Sequence, residues 1–106
     1  MAIEVSIDQL KQARQDGAMV VDVRNDDEYA GGHVSGAHSL PLPEVEARMQ
    51  ELPKDHTVYL VCQGGGRSGK AADLLGAAGY DVRSVAGGTS AWIESGGEVT
   101  KGSEQG

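Results

Sequence analysis

Val58-Tyr59-Leu60-Val61-Cys62-Gln63-Gly64-Gly65-Gly66-Arg67-Ser68-Gly69-Lys70 runs from an apolar segment, through the only cysteine of the chain, into three glycines and an arginine. Residues 58–61 are β-branched or bulky and suit a buried strand. From residue 68 to residue 78 the apolar positions Ala71, Leu74, Leu75 and Ala78 recur at helical spacing, and Gly79 is placed to cap the end. Between strand and helix, glycines let successive backbone N–H groups converge on one point. The helix start adds partial positive charge there and Arg67 adds a full one. A thiol in that setting is expected to fall from a pKa of about 8.5 into the range ~3.5 to 7.5. A cysteine ending an apolar strand is ordinarily a small buried hydrophobe. Three consecutive glycines, which weaken any strand or helix, point instead to a ligand or a tight turn. Cys62 is therefore the candidate nucleophile, and Gln63, Gly64, Gly65, Gly66, Arg67 and Ser68 are the candidate anion cradle. Ser68 is expected to cap the helix that follows.

Two phosphate motifs overlap these residues and fail on inspection. Gly64-x-Gly66-x-x-Gly69 matches a dinucleotide fingerprint, but the next strand ends in Ala86 and Gly87, with no acid to hold a ribose. Gly64 with Gly69-Lys70 matches G-x-x-x-x-G-K, yet Ala71 stands where a hydroxyl should bind magnesium.

Working outward, strands are expected at residues 3–5, 19–23, 37–40, 57–61 and 80–85. Helices are expected from a Ser6 or Asp8 cap to residue 15, over a short acidic turn at 25–30, over 43–52, and after Gly87-Gly88-Thr89, where Ala91, Trp92 and Ile93 follow. Strands alternating with helices imply βαβ units: a three-layer α/β/α sandwich on a parallel sheet with right-handed crossovers. Ligands in such folds gather at the carboxyl ends of the strands, where both Cys62 and Arg24 fall. Asp22 and Arg24 are expected to pair there and to support the loop indirectly. The run Asp26-Asp27-Glu28 is expected to be a solvated face. His33 and His38 are read as structural or exposed, His56 as part of a polar turn and Trp92 as a core anchor. A domain over 1–97 is expected, with a flexible, polar, glycine-rich tail over 98–106.

Composition narrows the function. The 106 residues are 39% apolar with no phenylalanine and one tryptophan, so aliphatic side chains must fill a single core. Sixteen acids against nine Lys and Arg give a net charge of −7, which argues against nucleic acid. A lone cysteine rules out an internal disulfide, and no apolar run approaches the ~20 residues of a membrane span, so a reducing cytoplasm is the expected setting. No histidine and cysteine cluster suggests a metal.

Four ordered motifs resemble the single-domain rhodanese family of sulfurtransferases: Val21-Asp22-Val23-Arg24 with Glu28-Tyr29, Gly32-His33-Val34-Ser35-Gly36-Ala37, the loop from Cys62 to Ser68, and Gly87-Gly88 leading to Ala91-Trp92. The resemblance implies a five-stranded parallel sheet in the order 1-5-4-2-3. It also implies transfer of a sulfane sulfur through a persulfide on Cys62, with no metal or organic cofactor. The partners implied are a small donor (thiosulfate, polysulfide or a low-molecular-weight persulfide) and a cyanide, thiol or protein acceptor. Many thiosulfate-using members carry cations just after the cysteine, where this chain has Gln63 and Gly64, so weak thiosulfate use is expected. Two alternatives stay open: a cysteine phosphatase, whose relatives resemble C-x5-R where four residues separate Cys62 from Arg67 here, and a non-catalytic sulfur-carrier or binding module.

Overall fold

A computed structural model describes residues 3–105. Five strands, β1 (Glu4–Val5), β2 (Met19–Asp22), β4 (His38–Ser39), β5 (Val58–Val61) and β6 (Val82–Val85), form one sheet in the order β1-β6-β5-β2-β4. Every pairing in it is parallel. Counted along the chain within this sheet, the order is 1-5-4-2-3, as the resemblance implies. Helices α1 (Ile7–Gln15), α2 (Asp26–Ala30), α3 (Val45–Arg48), α4 (Gly66–Ala77) and α5 (Gly88–Glu94) make the connections.

Side-chain alternation along the strands builds two cores, one on each side of the sheet. On β5, Val58, Leu60 and Cys62 face Ala71, Ala72 and Leu75 of α4 and Val45 of α3. Val61 faces the other way, into a cluster with Leu10 of α1 and Trp92 of α5. The candidate nucleophile is thus the last residue of the α4-facing row, held in place as a core residue. α1 starts at a capping box in which the Ser6 hydroxyl accepts from the Gln9 N–H and the Gln9 side chain answers the Ser6 N–H.

Three expectations need correction. Residues 43–52 do not form one helix: the four-residue α3 is flanked by 3-10 turns at Leu42–Glu44 and Met49–Glu51, because Pro43 and a thin apolar stripe leave little to propagate an α-helix. The strand expected at 37–40 shortens to β4, and a separate pair appears before it. In that pair β3 (His33–Val34) runs antiparallel to β7 (Val99–Thr100). Residues assigned to a flexible tail therefore contribute a strand. The Trp92 indole donates to the Glu98 carbonyl at 2.8 Å, Ser35 N–H donates to the same carbonyl, and the Ser35 and Thr100 hydroxyls meet at 2.7 Å. His33, fully buried, is structural: its ring stacks on Tyr29 at 3.6 Å and its Nδ1 meets the Tyr29 carbonyl at 2.8 Å.

Candidate active site

β2 and β5 are neighbours in register, with Asp22 opposite Val61, so both strands deliver their carboxyl ends to one place. Cys62 leaves β5 there, 1% exposed. The chain then turns through Gln63 and Gly64 to Gly65, whose φ of +117° marks the start of α4. Only glycine holds that backbone geometry without strain. The turn brings the Gly65 N–H back to the Cys62 sulfur at 3.0 Å. Helix α4 begins at Gly66, two residues before the expected start, so Arg67 and Ser68 belong to its first turn.

The sulfur sits among opposing influences. Burial pushes the Cys62 thiol up, but the Ser68 hydroxyl and the backbone N–H groups of Ser68, Gly65 and Arg67 outweigh it, and the thiol is more acidic than an ordinary cysteine. Ser68 does not cap the helix. Its hydroxyl lies 3.5 Å from the sulfur, 3.0 Å from the Gly65 carbonyl and 2.8 Å from the Ser84 hydroxyl. The first turn of α5 braces the other edge, where Thr89 N–H donates to the Cys62 carbonyl at 2.8 Å and Ser90 N–H to that of Gln63 at 3.2 Å. This approach requires Gly88: at φ +53°, a Cβ there would stand 2.3 Å from the Cys62 carbonyl oxygen.

Arg67 stays about one third exposed and does not turn its guanidinium onto the sulfur. Its guanidinium takes both carboxylate oxygens of Glu28 on α2, at 2.6 and 2.9 Å. The fork-on-fork pair holds the Glu28 carboxyl down at about 2 from 4.5, through the Arg67 hydrogen bond first and the Asn25 N–H second, against the upward push of burial. Glu28 was expected on a solvated face; it is instead the partner of the loop arginine. The two lie 39 positions apart, so no local pattern could reveal the contact.

Asp22 and Arg24 do pair, and more deeply than an exposed ion pair would. Asp22 is fully buried, and its oxygens accept from Arg24 Nε at 3.0 Å and Nη2 at 2.8 Å. Arg24 also donates to the Gly32 carbonyl at 2.7 Å and, through Nη1, to Gln63 Oε1 at 3.0 Å. The Gln63 amide in turn donates to Ser90 at 2.7 Å. Arg24 thus touches the loop directly, with Gln63 as a strut between β2 and α5. Gly64 and Gly66 have open space where a Cβ would project. Beside the loop lies a cleft of about 480 Å³ bordered by Arg24, Glu28, Gln63, Ile93, Val99 and Lys101. Among the described residues no cluster of three or more His, Cys, Asp or Glu could hold a metal ion, and no helix is long and apolar enough to cross a membrane.

Both cations near Cys62 are already matched by carboxylates, Arg24 by Asp22 and Arg67 by Glu28. What faces the sulfur is a set of backbone N–H groups from Gly65, Arg67 and Ser68, together with the Ser68 hydroxyl.

Comparison with known proteins agrees with this geometry. The model of the rhodanese-like domain matches residues 6–95. An uncharacterized protein of Bacillus subtilis, YqhL, is 40% identical over 76 residues, covering 71% of this chain and 60% of that protein. A protein of Allochromatium vinosum named sulfurtransferase is 35% identical over 99 residues, 91% of this chain and 92% of its own length. Among solved structures, a rhodanese-related protein from Thermoplasma volcanium superimposes with a TM-score of 0.87 at 26% identity, over 92% of this chain and 97% of that one. The chain thus spans about three fifths of the Bacillus relative and nearly all of the other two. With its fold, its cysteine loop and the matched span in agreement, the chain belongs to the rhodanese-like domain family.

Proposed function

We propose that this protein is a sulfurtransferase that carries a sulfane sulfur as a persulfide on Cys62. The observation that carries the proposal is the acidified, enclosed sulfur with the N–H groups of Gly65, Arg67 and Ser68 turned toward it. In the first step the Cys62 thiolate attacks the outer sulfur of a donor. A new S–S bond forms as the donor's own bond to that sulfur breaks, and the electron pair leaves with sulfite (from thiosulfate), with a thiolate (from an organic persulfide) or with the polysulfide shortened by one sulfur. The negative charge moves to the terminal sulfur, and the cradle amides stabilise it there. In the second step cyanide or a thiolate attacks that terminal sulfur and Cys62 departs as thiolate, ready for another cycle. No metal or organic cofactor enters either step. The proposed setting is a reducing compartment such as the cytoplasm, carried by the single free thiol.

Thiosulfate is proposed as a poor donor and a persulfide or polysulfide as a better one. A dianion gains little from a site whose arginines are already neutralised and whose post-cysteine positions are Gln63 and Gly64. The same pairing argues against phosphatase chemistry, since the arginine that would grip a phosphate is held by Glu28.

The experiment is intact mass spectrometry after exposure to each donor, followed by cyanide. The expected result is a gain of one sulfur, about 32 Da for persulfide formation on the nucleophile, released as thiocyanate and absent in Cys62→Ser. A folded protein whose Cys62 alkylates readily yet takes up sulfur from no donor would overturn the proposal.

A further inference from the structure

β6 holds a hydroxyl in the middle of an apolar core. Ser84 lies between Val82 and Val85, 2% exposed, on the sheet face that packs against α4. A buried hydroxyl costs free energy unless it is hydrogen-bonded. The partner it finds is Ser68 Oγ, at 2.8 Å, on a side chain that is itself 0% exposed.

Ser68 has one proton and several claimants. Its oxygen lies within reach of the Gly65 carbonyl at 3.0 Å, Ser84 Oγ at 2.8 Å and the Cys62 sulfur at 3.5 Å. While Cys62 is a neutral thiol, S–H donates to Ser68 Oγ and Ser68 donates to the Gly65 carbonyl. Once the sulfur is anionic it has no proton to give and seeks donors instead. Ser68 can then turn its proton onto the sulfur, but its own oxygen loses the donor it had. Ser84 already donates to that oxygen in the neutral state, since the Ser68 proton is then on the Gly65 carbonyl, and its O–H is the donor that remains once the thiol proton is gone, because a serine hydroxyl donates once and accepts twice.

We propose that Ser84 is a positioning residue for the Cys62 chemistry: its hydroxyl donates to Ser68 Oγ and so frees the Ser68 proton to turn from the Gly65 carbonyl to the sulfur whenever that sulfur carries negative charge. The chain Ser84, Ser68, Cys62 is a relay of hydrogen-bond direction in which no proton leaves its own oxygen. The charged groups about the sulfur are Arg67 of α4, held by Glu28 of α2, and the Asp22 and Arg24 pair beyond the end of β2; β6 contributes Ser84 and α5 contributes backbone N–H groups. Substitution at Ser84 leaves all of those charges in place. The proposal rests on a Cys62 thiolate as nucleophile, but its test requires no sulfur transfer.

The test is the pH dependence of Cys62 alkylation by iodoacetamide in the wild type, Ser84→Ala, Ser68→Ala and the double variant. Without Ser84 the charged state leaves Ser68 Oγ with no donor, while the neutral state still has the thiol S–H, so Ser84→Ala should slow alkylation roughly three- to tenfold below its midpoint and move that midpoint upward. In a Ser68→Ala background the same substitution should change nothing further. Ser84→Thr, which keeps the hydroxyl, should retain the wild-type profile where its isostere Ser84→Val loses it. An equal slowing by Ser84→Ala with and without Ser68, or a Val variant that matches the Thr variant, would overturn the relay and reduce Ser84 to packing. Failure of persulfide formation with every donor would sink the sulfurtransferase proposal while leaving these profiles interpretable.

Discussion

Replacing Glu28 with glutamine removes one negative charge from beside the loop and leaves a side chain of the same shape against Arg67. At present the carboxylate takes both guanidinium nitrogens, at 2.6 and 2.9 Å, so the arginine presents little net charge to an arriving donor. At an effective dielectric of about 20 and a separation of roughly 8 Å, a unit charge acts on another with about 2 kcal/mol, or about 4 kcal/mol on a dianion. Screening over about one Debye length at physiological salt reduces this to roughly 1.5 kcal/mol, close to a factor of ten. Glu28→Gln should therefore raise kcat/KM for thiosulfate about tenfold, measured as thiocyanate formation. It should raise an alkyl persulfide donor, a monoanion at most, by no more than about threefold, and the gain should shrink at about 1 M salt, where the screening length is near 3 Å. A parallel fall with both donors would refute the electrostatic reasoning and make Glu28 an anchor of the loop. A tenfold gain insensitive to salt would refute it as well.

The same carboxylate sets an acid limit. With its folded value held near 2 against 4.5, Glu28 contributes stability that is fully present above about pH 4.5 and lost as pH falls toward 2. The pair is about one third exposed on each side, so the contribution is of order 1 kcal/mol, read as an acid-unfolding curve that loses this component in Glu28→Gln. Asp22→Ala strands the buried Arg24 guanidinium and should cost about 3–5 kcal/mol in a urea titration. Gly88→Ala places a methyl against the Cys62 carbonyl at positive φ and should cost about 3 kcal/mol, a melting-temperature loss of roughly 12–15 °C. Gly64→Arg, at a position with open space for a side chain, should improve thiosulfate kcat/KM about tenfold through added positive charge. No gain there would count against donor choice by charge.

The sheet and the nucleophile were legible because their signals are local and repeated. Four apolar residues before Cys62, three glycines after it and an amphipathic stripe from Ala71 to Ala78 each demand one conformation, and together they fix a strand, a turn and a helix. Two-residue strands give no such period, which is why β3 and β7 passed for loop and tail. Their pairing is braced by the Trp92 indole on Glu98 and by the Ser35 hydroxyl on Thr100, the second of these 65 positions away in sequence. Glu28 looked like one acid among three because only the folded chain brings Arg67 to it. Ser68 fits a cap by type, but a helix that begins at Gly66 turns its hydroxyl inward. Ser84 left a faint sign, a polar residue two positions after Val82 and so on the same face of a buried strand.

The sulfur's closest support is drawn largely from main-chain N–H groups at Gly65, Arg67 and Ser68, and the loop's own carbonyls are held by N–H groups at Thr89 and Ser90. Every residue except proline supplies such a group, so exchange of side chains at Gln63, Gly64 or Gly66 leaves these main-chain donors in place. Mutational drift at Gln63, Gly64 or Gly66 can therefore alter which molecules are welcomed without switching off the thiol that meets them. A lineage built on this loop can change donors in single steps, each through a folded and reactive intermediate.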